Sequence, residues 1–565
     1  MLSSDPQLTP LFALADEVVQ RWCALSPLTA TDLGVEGFDD RLDDFSPAGR
    51  RAVAALCEWA LDSLDSLTAA GPHDEVARSV MIERLSSHLE LEANGETVRN
   101  FGVIFSPAST IRQSFELMTW SGPQGAQAVR DRLDAVADSL ESWRASLEAA
   151  LESGEHTAAR HARGVAEQMR TIADVGLGTL VERVAAASGR TVGELGLDGA
   201  RDRAAAAYRA QADWLGGTYA ERTRASDFVG AERYRRWARY HTGLELDLEE
   251  TYAWGWTDLR RIDERMWELA GQLAPGASSL TEVAARLDAD ERYRVRGTDE
   301  LLARLRALTE ATTQRLAGSE FTMDERVRFC DVRLAPEGSA AAPYYIPPSE
   351  DLARPGTTWF PTLGESEFNW WRLVTVWYHE AVPGHHLDGG ALAVNRERLS
   401  RFQRTLAWTS GKGEGWALYA ERLMDELGGF AEPALEMGFL ISQAWRAARV
   451  VVDIGMHLQL TAPRDFGSLA GQGDVGGATW TPEMAVATLV ERALVAPAMA
   501  HSEVDRYLAL PAQAISYKVG EREWLGAREE MRAERGAAFS LRDFHDRALA
   551  LGPMGLSAFR EALRV

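Results

Sequence analysis

Cysteine is scarce in this sequence of 565 residues, and the three that occur, Cys23, Cys57 and Cys330, form no CxxC pair. This spacing excludes a readable disulfide framework or thiolate zinc site and favours a reducing compartment. No stretch approaches the roughly 18 uncharged apolar residues of a membrane helix. The start, MLSSDPQLTPLFALADEVV, lacks the basic segment of a signal peptide. We therefore expect a cytoplasmic protein with no membrane partner.

Basic residues are also fewer than acidic ones. The sequence has 60 basic and 84 acidic residues, so the net charge is −24. A surface of this sign repels phosphate backbones, so we expect no nucleic-acid partner. Hydrophobic residues make up 46% and charged residues 25% of the chain, as in ordinary soluble globular proteins. The length fits two to four domains or one large enzyme body.

Residues 1–325 show the spacing of successive helices. One segment places four apolar residues on a single face: Leu140, Trp143, Leu147 and Leu151. Ser279 and Glu282 form a capping-box pattern before another helix. No chemically reactive cluster occurs here, so we interpret this region as the helical wall of a deep cleft.

The composition changes after about residue 325, and residues 326–565 are the predicted catalytic region. RVRFCDVRL alternates apolar and polar residues and predicts a strand. TTWF predicts a short strand at a sheet edge, which Pro361 would end. Helical patterns return from Gly364 onward, apart from a Gly-rich loop near residues 470–480.

Three of the 11 histidines lie within the segment HEAVPGHH, which begins at His379. A standard zincin helix carries H-E-x-x-H, with two histidines one turn apart on one metal. Here Pro383 occupies the fourth position after His379, so that motif is absent. On an unbroken helix His386 would lie about 10 Å along the axis from His379, and His385 would point to another face.

A distortion at Pro383 and Gly384 removes this obstacle, because proline and glycine favour a kink or bulge. The spacing predicts that either His385 or His386 then joins His379 at the metal, with Glu380 as the general base. The alternative is a helix that ends at Pro383 and continues as a histidine-containing loop.

A third metal ligand is expected, because catalytic zinc usually keeps three protein ligands and one open position. Glu414 follows a Gly-Lys-Gly sequence that predicts a turn, and it would begin an amphipathic helix. Glu421 lies seven residues later on nearly the same face. We assign Glu414 as the ligand and Glu421 as the carboxylate that holds a metal-bound histidine. Alternatively, Glu414 only interacts with the helix N-terminus.

Arg449, Asp453 and His457 share one face of a later, largely apolar helix. His457 could face the substrate and be oriented by Asp453, or the three side chains could form an internal ion-pair stripe. Near the C-terminus, Tyr517 is a candidate donor to an oxyanion, with simple packing as the alternative. Arg449 and Lys518 are candidate partners for a substrate carboxylate.

The blocks HEAVPGHH, GEGWALYAE, RAARVVVDIGMH and PAQAISYKVG resemble a bacterial family catalogued as domain-of-unknown-function family 885. The upstream YYIPPSEDLARPG resembles the same family, and its Tyr345 is a candidate substrate-binding residue. The resemblance implies a mainly α, zincin-like fold similar to that of M32-type metallocarboxypeptidases, with a small β-sheet beside the metal-site helix. It also implies His385 as the second ligand, with His386 as a supporting neighbour.

The resulting hypothesis is a carboxypeptidase-like metallopeptidase that binds one Zn2+ per chain through His379, His385 and Glu414. Its substrate would be a peptide, and analogy with the family is compatible with a homodimer. Two alternatives stay open. One is a zinc hydrolase of a small non-peptide amide, and the other is a helical binding protein with a vestigial site.

Overall fold

The computed structural model describes residues 8–120, 122–335, 342–349 and 352–564, which pack into two compact units. Unit 1 contains the chain up to Asp74, Met81–Arg236 and Asp505–Leu510. Unit 2 contains Glu75–Val80, Trp237–Val504 and the chain from Pro511. The composition change at about residue 325 lies inside unit 2. It marks where the three-stranded sheet begins, so the packing boundary differs from the compositional one.

Unit 1 is built from helices. They are α1 (Pro10–Leu25), α2 (Pro27–Asp32), α3 (Pro47–Asp65), α4 (Pro72–Ala93), α5 (Glu96–Arg99), α6 (Pro107–Leu117), α7 (Gly122–Ser153), α8 (Ala159–Thr171), α9 (Leu177–Ser188), α10 (Leu197–Trp214) and α11 (Ala220–Arg222), with π-helical segments at Ile172–Gly176 and Leu215–Tyr219. Leu140, Trp143 and Leu147 of α7 are buried, which confirms the predicted apolar face. Leu151 lies at its margin and is half-buried.

Unit 2 contains most of the remaining helices. In chain order they are α12 (Gly230–Thr242, which begins in unit 1), α13 (Leu248–Leu273), α14 (Leu280–Asp288), α15 (Thr298–Leu316), α16 (Trp370–Glu380), α17 (His385–Val394), α18 (Arg401–Thr405), α19 (Ser410–Glu426), α20 (Pro433–Leu458), α21 (Pro482–Ala493), α22 (Pro497–Ala509, which ends in unit 1), α23 (Ser516–Arg535), α24 (Leu541–Ala550) and α25 (Leu556–Leu563). The chain is therefore mainly helical, as predicted. Among the described residues, no helix combines the length and apolarity needed to cross a membrane.

Short strands accompany these helices. They are β1 (Arg294–Arg296), β2 (Cys330–Leu334), β3 (Tyr344–Ile346), β4 (Gly356–Phe360), β5 (Glu367–Asn369), β6 (Ser468–Leu469) and β7 (Gly473–Asp474). β1 pairs antiparallel with β5, and β6 pairs antiparallel with β7. The sheet of three strands has the order β2-β4-β3.

The strand over TTWF occupies the centre of this sheet, so the predicted edge position is wrong. β4 runs parallel to β2 and antiparallel to β3. Pro361 lies just beyond the last strand residue, Phe360, and therefore ends the strand without interrupting either ladder. The strand predicted over RVRFCDVRL is shorter than expected, because residues Glu325–Val327 form a 3-10 turn first.

The predicted cap of α14 forms in part. Ser279 accepts a hydrogen bond from the Glu282 amide at 3.2 Å. The Glu282 carboxylate binds the backbone amide of Ser278 at 2.9 Å, one residue earlier than in a capping box.

Glycines allow α19 and α23 to pack in direct backbone contact. A Cβ added to Gly415 would lie 2.5 Å from the Cα of Gly520, and one added to Gly520 would lie 2.0 Å from the carbonyl oxygen of Gly411. Real Cβ atoms do not approach backbone this closely. These contacts fix α19, which carries Glu414 and Glu421, against α23, which carries Tyr517.

We expect Gly415→Ala to destabilise the protein by about 1–3 kcal/mol, because the helices must separate to admit the methyl group. Gly271→Ala is the matched control, since a Cβ at this helical position meets nothing within 4 Å and should stabilise by up to about 1 kcal/mol. Denaturant unfolding of both variants measures the difference. Equal stability of the two variants would show that the contact is not tight.

Candidate metal centre

The helix that carries His379 does not continue through the Pro-Gly pair. α16 ends at Glu380, the Val382–Pro383 peptide bond is cis, and α17 begins at His385. A Cβ on Gly384 would lie 1.8 Å from the carbonyl oxygen of His379, so only glycine fits this turn. The expected distortion thus takes the form of a complete break between two helices.

The break brings two histidine rings together. The rings of His379 and His385 pack edge to face, with centroids 4.9 Å apart. Trp416 on α19 donates from Nε1 to the Gly384 carbonyl oxygen at 2.9 Å. This bond fixes the turn between the two histidine-bearing helices against α19.

Glu414 lies in the second turn of α19 and not at its start. The helix begins at Ser410, so the predicted Gly-Lys-Gly turn is wrong. Gly411 permits the earlier start, because a Cβ there would lie 2.9 Å from the Cα of Thr242. Glu414 is therefore presented from the body of a helix and not from an N-terminal turn.

His379, His385 and Glu414 form a cluster suited to a metal ion. One ligand atom from each lies within 4.8 Å of the others. Oε2 of Glu414 lies 3.3 Å from Nε2 of His379 and 3.6 Å from Nε2 of His385. Ligands about 2.0–2.2 Å from a tetrahedral zinc ion are separated by about 3.4 Å. Oε2 is also buried and accepts no hydrogen bond from any described residue.

Glu421 holds His379 from the opposite side of the ring. Its Oε1 lies 2.8 Å from Nδ1 of His379. Since a carboxylate only accepts, Nδ1 carries a hydrogen, and Nε2 is the ring nitrogen directed at Glu414 and His385. Oε2 of Glu421 accepts three further hydrogen bonds, from Thr375 (3.1 Å), Ser442 (3.2 Å) and Gln443 (3.3 Å).

The charges of the cluster stabilise one another. Burial lowers the pKa of His379, but the Glu414 and Glu421 carboxylates outweigh it and raise this pKa to about 10. Burial raises the pKa of Glu414, but the two imidazoles outweigh it and hold this pKa well below its usual value. The paired groups would otherwise be costly to bury, and such clusters are frequent at functional sites.

Glu380 and Tyr517 lie next to the cluster. Burial raises the pKa of Glu380, although His385 and His379 act in the opposite direction. The Tyr517 ring is nearly parallel to the His379 ring, at an interplanar angle of 17° and a centroid distance of 6.4 Å. The structure therefore brings two of the three predicted catalytic side chains, Glu380 and Tyr517, to the ligands, and the third, His457, is not among them.

Arg449 contacts Tyr517 and a carboxylate. Its guanidinium lies over the Tyr517 ring at 4.7 Å and donates to Oε2 of Glu503 at 2.9 Å. The charge of Arg449 is thus balanced within the protein. Its contact with Tyr517 places Arg449 near the cluster. Its hydrogen bond, however, is made to Glu503.

His386 is separate from the cluster. Its Nε2 lies 2.8 Å from the carbonyl oxygen of Val327 and its Nδ1 lies 3.1 Å from the Tyr345 hydroxyl. Since a carbonyl only accepts, Nε2 carries the hydrogen, and Nδ1 accepts from Tyr345. Burial lowers the pKa of His386 to about 4. His386 and Tyr345 therefore link α17 to β3, and the hydroxyl of Tyr345 is committed to this bond.

Asp453 and His457 pair with each other on α20. Oδ1 of Asp453 lies 3.5 Å from Nε2 of His457, and both side chains are fully buried. Oδ2 of Asp453 accepts from the Ala512 amide at 3.0 Å. This pair favours the internal-packing alternative, in which Asp453 supports the loop before α23.

The ammonium of Lys518 is bound by side chains of the protein itself. It lies 2.9 Å from Oδ2 of Asp258 and 2.9 Å from Oε1 of Gln443, and it also binds Glu521. Lys518 is 2% exposed. A buried ammonium with these acceptors is not available to a substrate carboxylate.

Several residues around Glu421 were missed by the sequence reasoning. Thr375 precedes His379 by four residues, so the two share a face of α16. Ser442 and Gln443 are polar residues in the largely apolar first half of α20, and Arg446 donates to Ser442 Oγ at 2.8 Å. Helical spacing could have identified Thr375, but nothing in the sequence pairs α20 with Glu421.

Comparison with known proteins gives a family and a fold. The family model "Bacterial protein of unknown function (DUF885)" matches residues 27–563. A structure described as a putative lipoprotein from Colwellia psychrerythraea is 20% identical, with a TM-score of 0.81 and 98% of each chain covered. One described as a putative lipoprotein of unknown function from Shewanella oneidensis is 19% identical, with a TM-score of 0.76 over 98% of this chain and 100% of that chain. No curated protein matches.

The two adjacent histidines should respond differently to substitution. We expect His385→Gln to lose metal binding, because it removes a nitrogen from the cluster. His386→Gln should retain metal binding and lose about 1–3 kcal/mol of stability, because it disturbs two buried hydrogen bonds.

Elemental analysis of the purified variants after equilibration with zinc distinguishes the two histidines, and circular dichroism checks that both variants fold. Retention of zinc by His385→Gln together with its loss from His386→Gln would reverse the assignment.

Proposed function

The chain belongs to the bacterial family of unknown function DUF885, and we propose that it is a zinc-dependent hydrolase of peptide bonds. The observation that carries this proposal is the spacing of Glu414 Oε2 from the two imidazole Nε2 atoms, 3.3 and 3.6 Å. Two imidazoles and one carboxylate are also a donor set of catalytic zinc sites that leave a position open.

His379, His385 and Glu414 would hold the ion, one Zn2+ per chain. Zinc in such a site polarises a carbonyl group and acidifies water. Glu380 follows His379 directly, and burial raises the pKa of its carboxyl group, which suits a general base. Glu380 accepts the proton of the attacking water and delivers it to the leaving amine. Tyr517 donates from its hydroxyl to the oxyanion of the tetrahedral intermediate.

The substrate proposed is a peptide. A preference for C-terminal residues would require a cation for the terminal carboxylate. Arg449 and Lys518 are both paired with protein carboxylates, so the geometry gives no argument for carboxypeptidase specificity. We further propose that the catalytic region is zincin-like and that helices form the wall of a deep cleft. The proposed location is the cytoplasm. The relatives' description as putative lipoproteins gives the alternative of a membrane-anchored location.

Replacement of Glu380 by glutamine should lower turnover strongly while zinc is retained. Loss of a general base lowers rates by about 10²–10⁴-fold, and Glu380 is not one of the three ligands. Hydrolysis of a fluorogenic peptide library measures turnover, and elemental analysis measures zinc. Glu397→Gln, on an exposed residue, is the control. Normal hydrolysis by Glu380→Gln would refute the assigned base.

Tyr517→Phe should lower kcat by about 10²–10³-fold with little change in KM, because the oxyanion exists only after attack. Tyr378→Phe is the matched control, since Tyr378 is a buried tyrosine adjacent to His379 that packs on Phe430. Steady-state kinetics on the same peptide separate kcat from KM. An unchanged kcat for Tyr517→Phe would assign this tyrosine to packing.

A further inference from the structure

Only two of the 60 basic residues in the chain are lysines, Lys412 and Lys518. Both are buried, each with 2% exposure. Lys412 lies two residues before Glu414, and Lys518 directly follows Tyr517. Arginine supplies every other basic side chain, so lysine at these buried positions indicates a local need for a compact ammonium group with rotatable donors.

The ammonium of Lys518 joins three helices. It forms an ion pair with Asp258 on α13 (2.9 Å) and donates to Gln443 on α20 (2.9 Å) and to Glu521 on α23. Burial raises the pKa of Asp258, but the positive charges of Lys518 and Arg261 together outweigh it and lower this pKa to about 2. Gln443 and Glu521 thus accept hydrogen bonds from the ammonium, and Asp258 pairs with its charge.

Lys518 determines which way the Gln443 amide points. An ammonium has no acceptor, so the amide oxygen of Gln443 must face it. Arg422, which also only donates, lies on the same side at 3.5 Å from this oxygen. The amide nitrogen therefore faces Oε2 of Glu421, at 3.3 Å. The reverse orientation would place an amide oxygen against the buried carboxylate.

We propose that Lys518 and Gln443 are positioning residues for His379. Lys518 orients Gln443, Gln443 holds the carboxylate of Glu421, and Glu421 holds Nδ1 of His379 at 2.8 Å. Every link is a buried hydrogen bond, and each group constrains the next. The inference rests on the proposed function, in which His379 is a metal ligand.

The test measures zinc affinity by competition with a chromophoric chelator. Gln443→Met removes the amide donor at similar volume, and we expect zinc to bind roughly tenfold more weakly. Gln443→Glu faces Glu421 with a carboxylate oxygen and should weaken zinc more than Gln443→Met does. Gln211→Met, at a buried glutamine in unit 1, is the control and should leave the affinity unchanged.

A double-mutant cycle tests whether Lys518 acts through Gln443. Lys518→Met alone should weaken zinc, and adding it to Gln443→Met should weaken zinc little further. Additive losses would overturn the relay. If Lys518→Met does not fold, the two Gln443 variants decide the proposal by themselves.

Binding of Co2+ provides a second measurement, which a general loss of stability does not affect. The visible absorption of bound Co2+ reports ligand geometry, and we expect it to change in Gln443→Met and to stay unchanged in Gln211→Met. Wild-type affinity retained in both Gln443 variants, together with an unchanged cobalt spectrum, would overturn the positioning roles and leave the proposed hydrolysis intact. Absence of zinc binding by the wild type would overturn both proposals.

Discussion

The hydrogen bond between Glu421 and Nδ1 of His379 is the interaction on which the site depends. A fully buried carboxylate is costly unless its oxygens are bonded. Here one oxygen binds the imidazole and the other accepts from Thr375, Ser442 and Gln443. Since these donors come from α16 and α20, compensation of one charge orders three helices at once. Because Nδ1 of His379 is held in this way, its Nε2 atom is directed at Glu414 and His385.

The same site requires close backbone approach, which glycine alone permits. Gly384 lets the chain fold back on the carbonyl of His379, and Gly415 and Gly520 let α19 and α23 touch. The first contact sets the distance between the two histidines. The second sets the distance between the helix of the carboxylates and the helix of Tyr517. The close backbone contacts thus determine where the polar side chains lie. The hydrogen bonds among these side chains then fix their orientation.

The helical character of the chain and the apolar face of α7 could be predicted from sequence, because both follow from local periodicity. The position of β4 at the centre of a sheet could not, because strand neighbours are set by distant segments. The same limit applies to the site. Spacing left His385 and His386 equivalent, whereas the bonds of His386 to Val327 and Tyr345 exist only in the folded chain. The internal role of Lys518 could not be predicted either, because two of its partners lie on α13 and α20, far away in sequence.

The fold by itself carries no activity. Structures only 19–20% identical share it over 98% of this chain, so the helical scaffold tolerates replacement of most side chains and does not determine chemistry. Any activity must therefore arise from the few polar groups that the scaffold buries at high cost. In this chain those groups converge on the space between two imidazoles and Glu414, whose Oε2 accepts no hydrogen bond from any residue in the described part. A cation in that space would compensate the charge of this carboxylate oxygen.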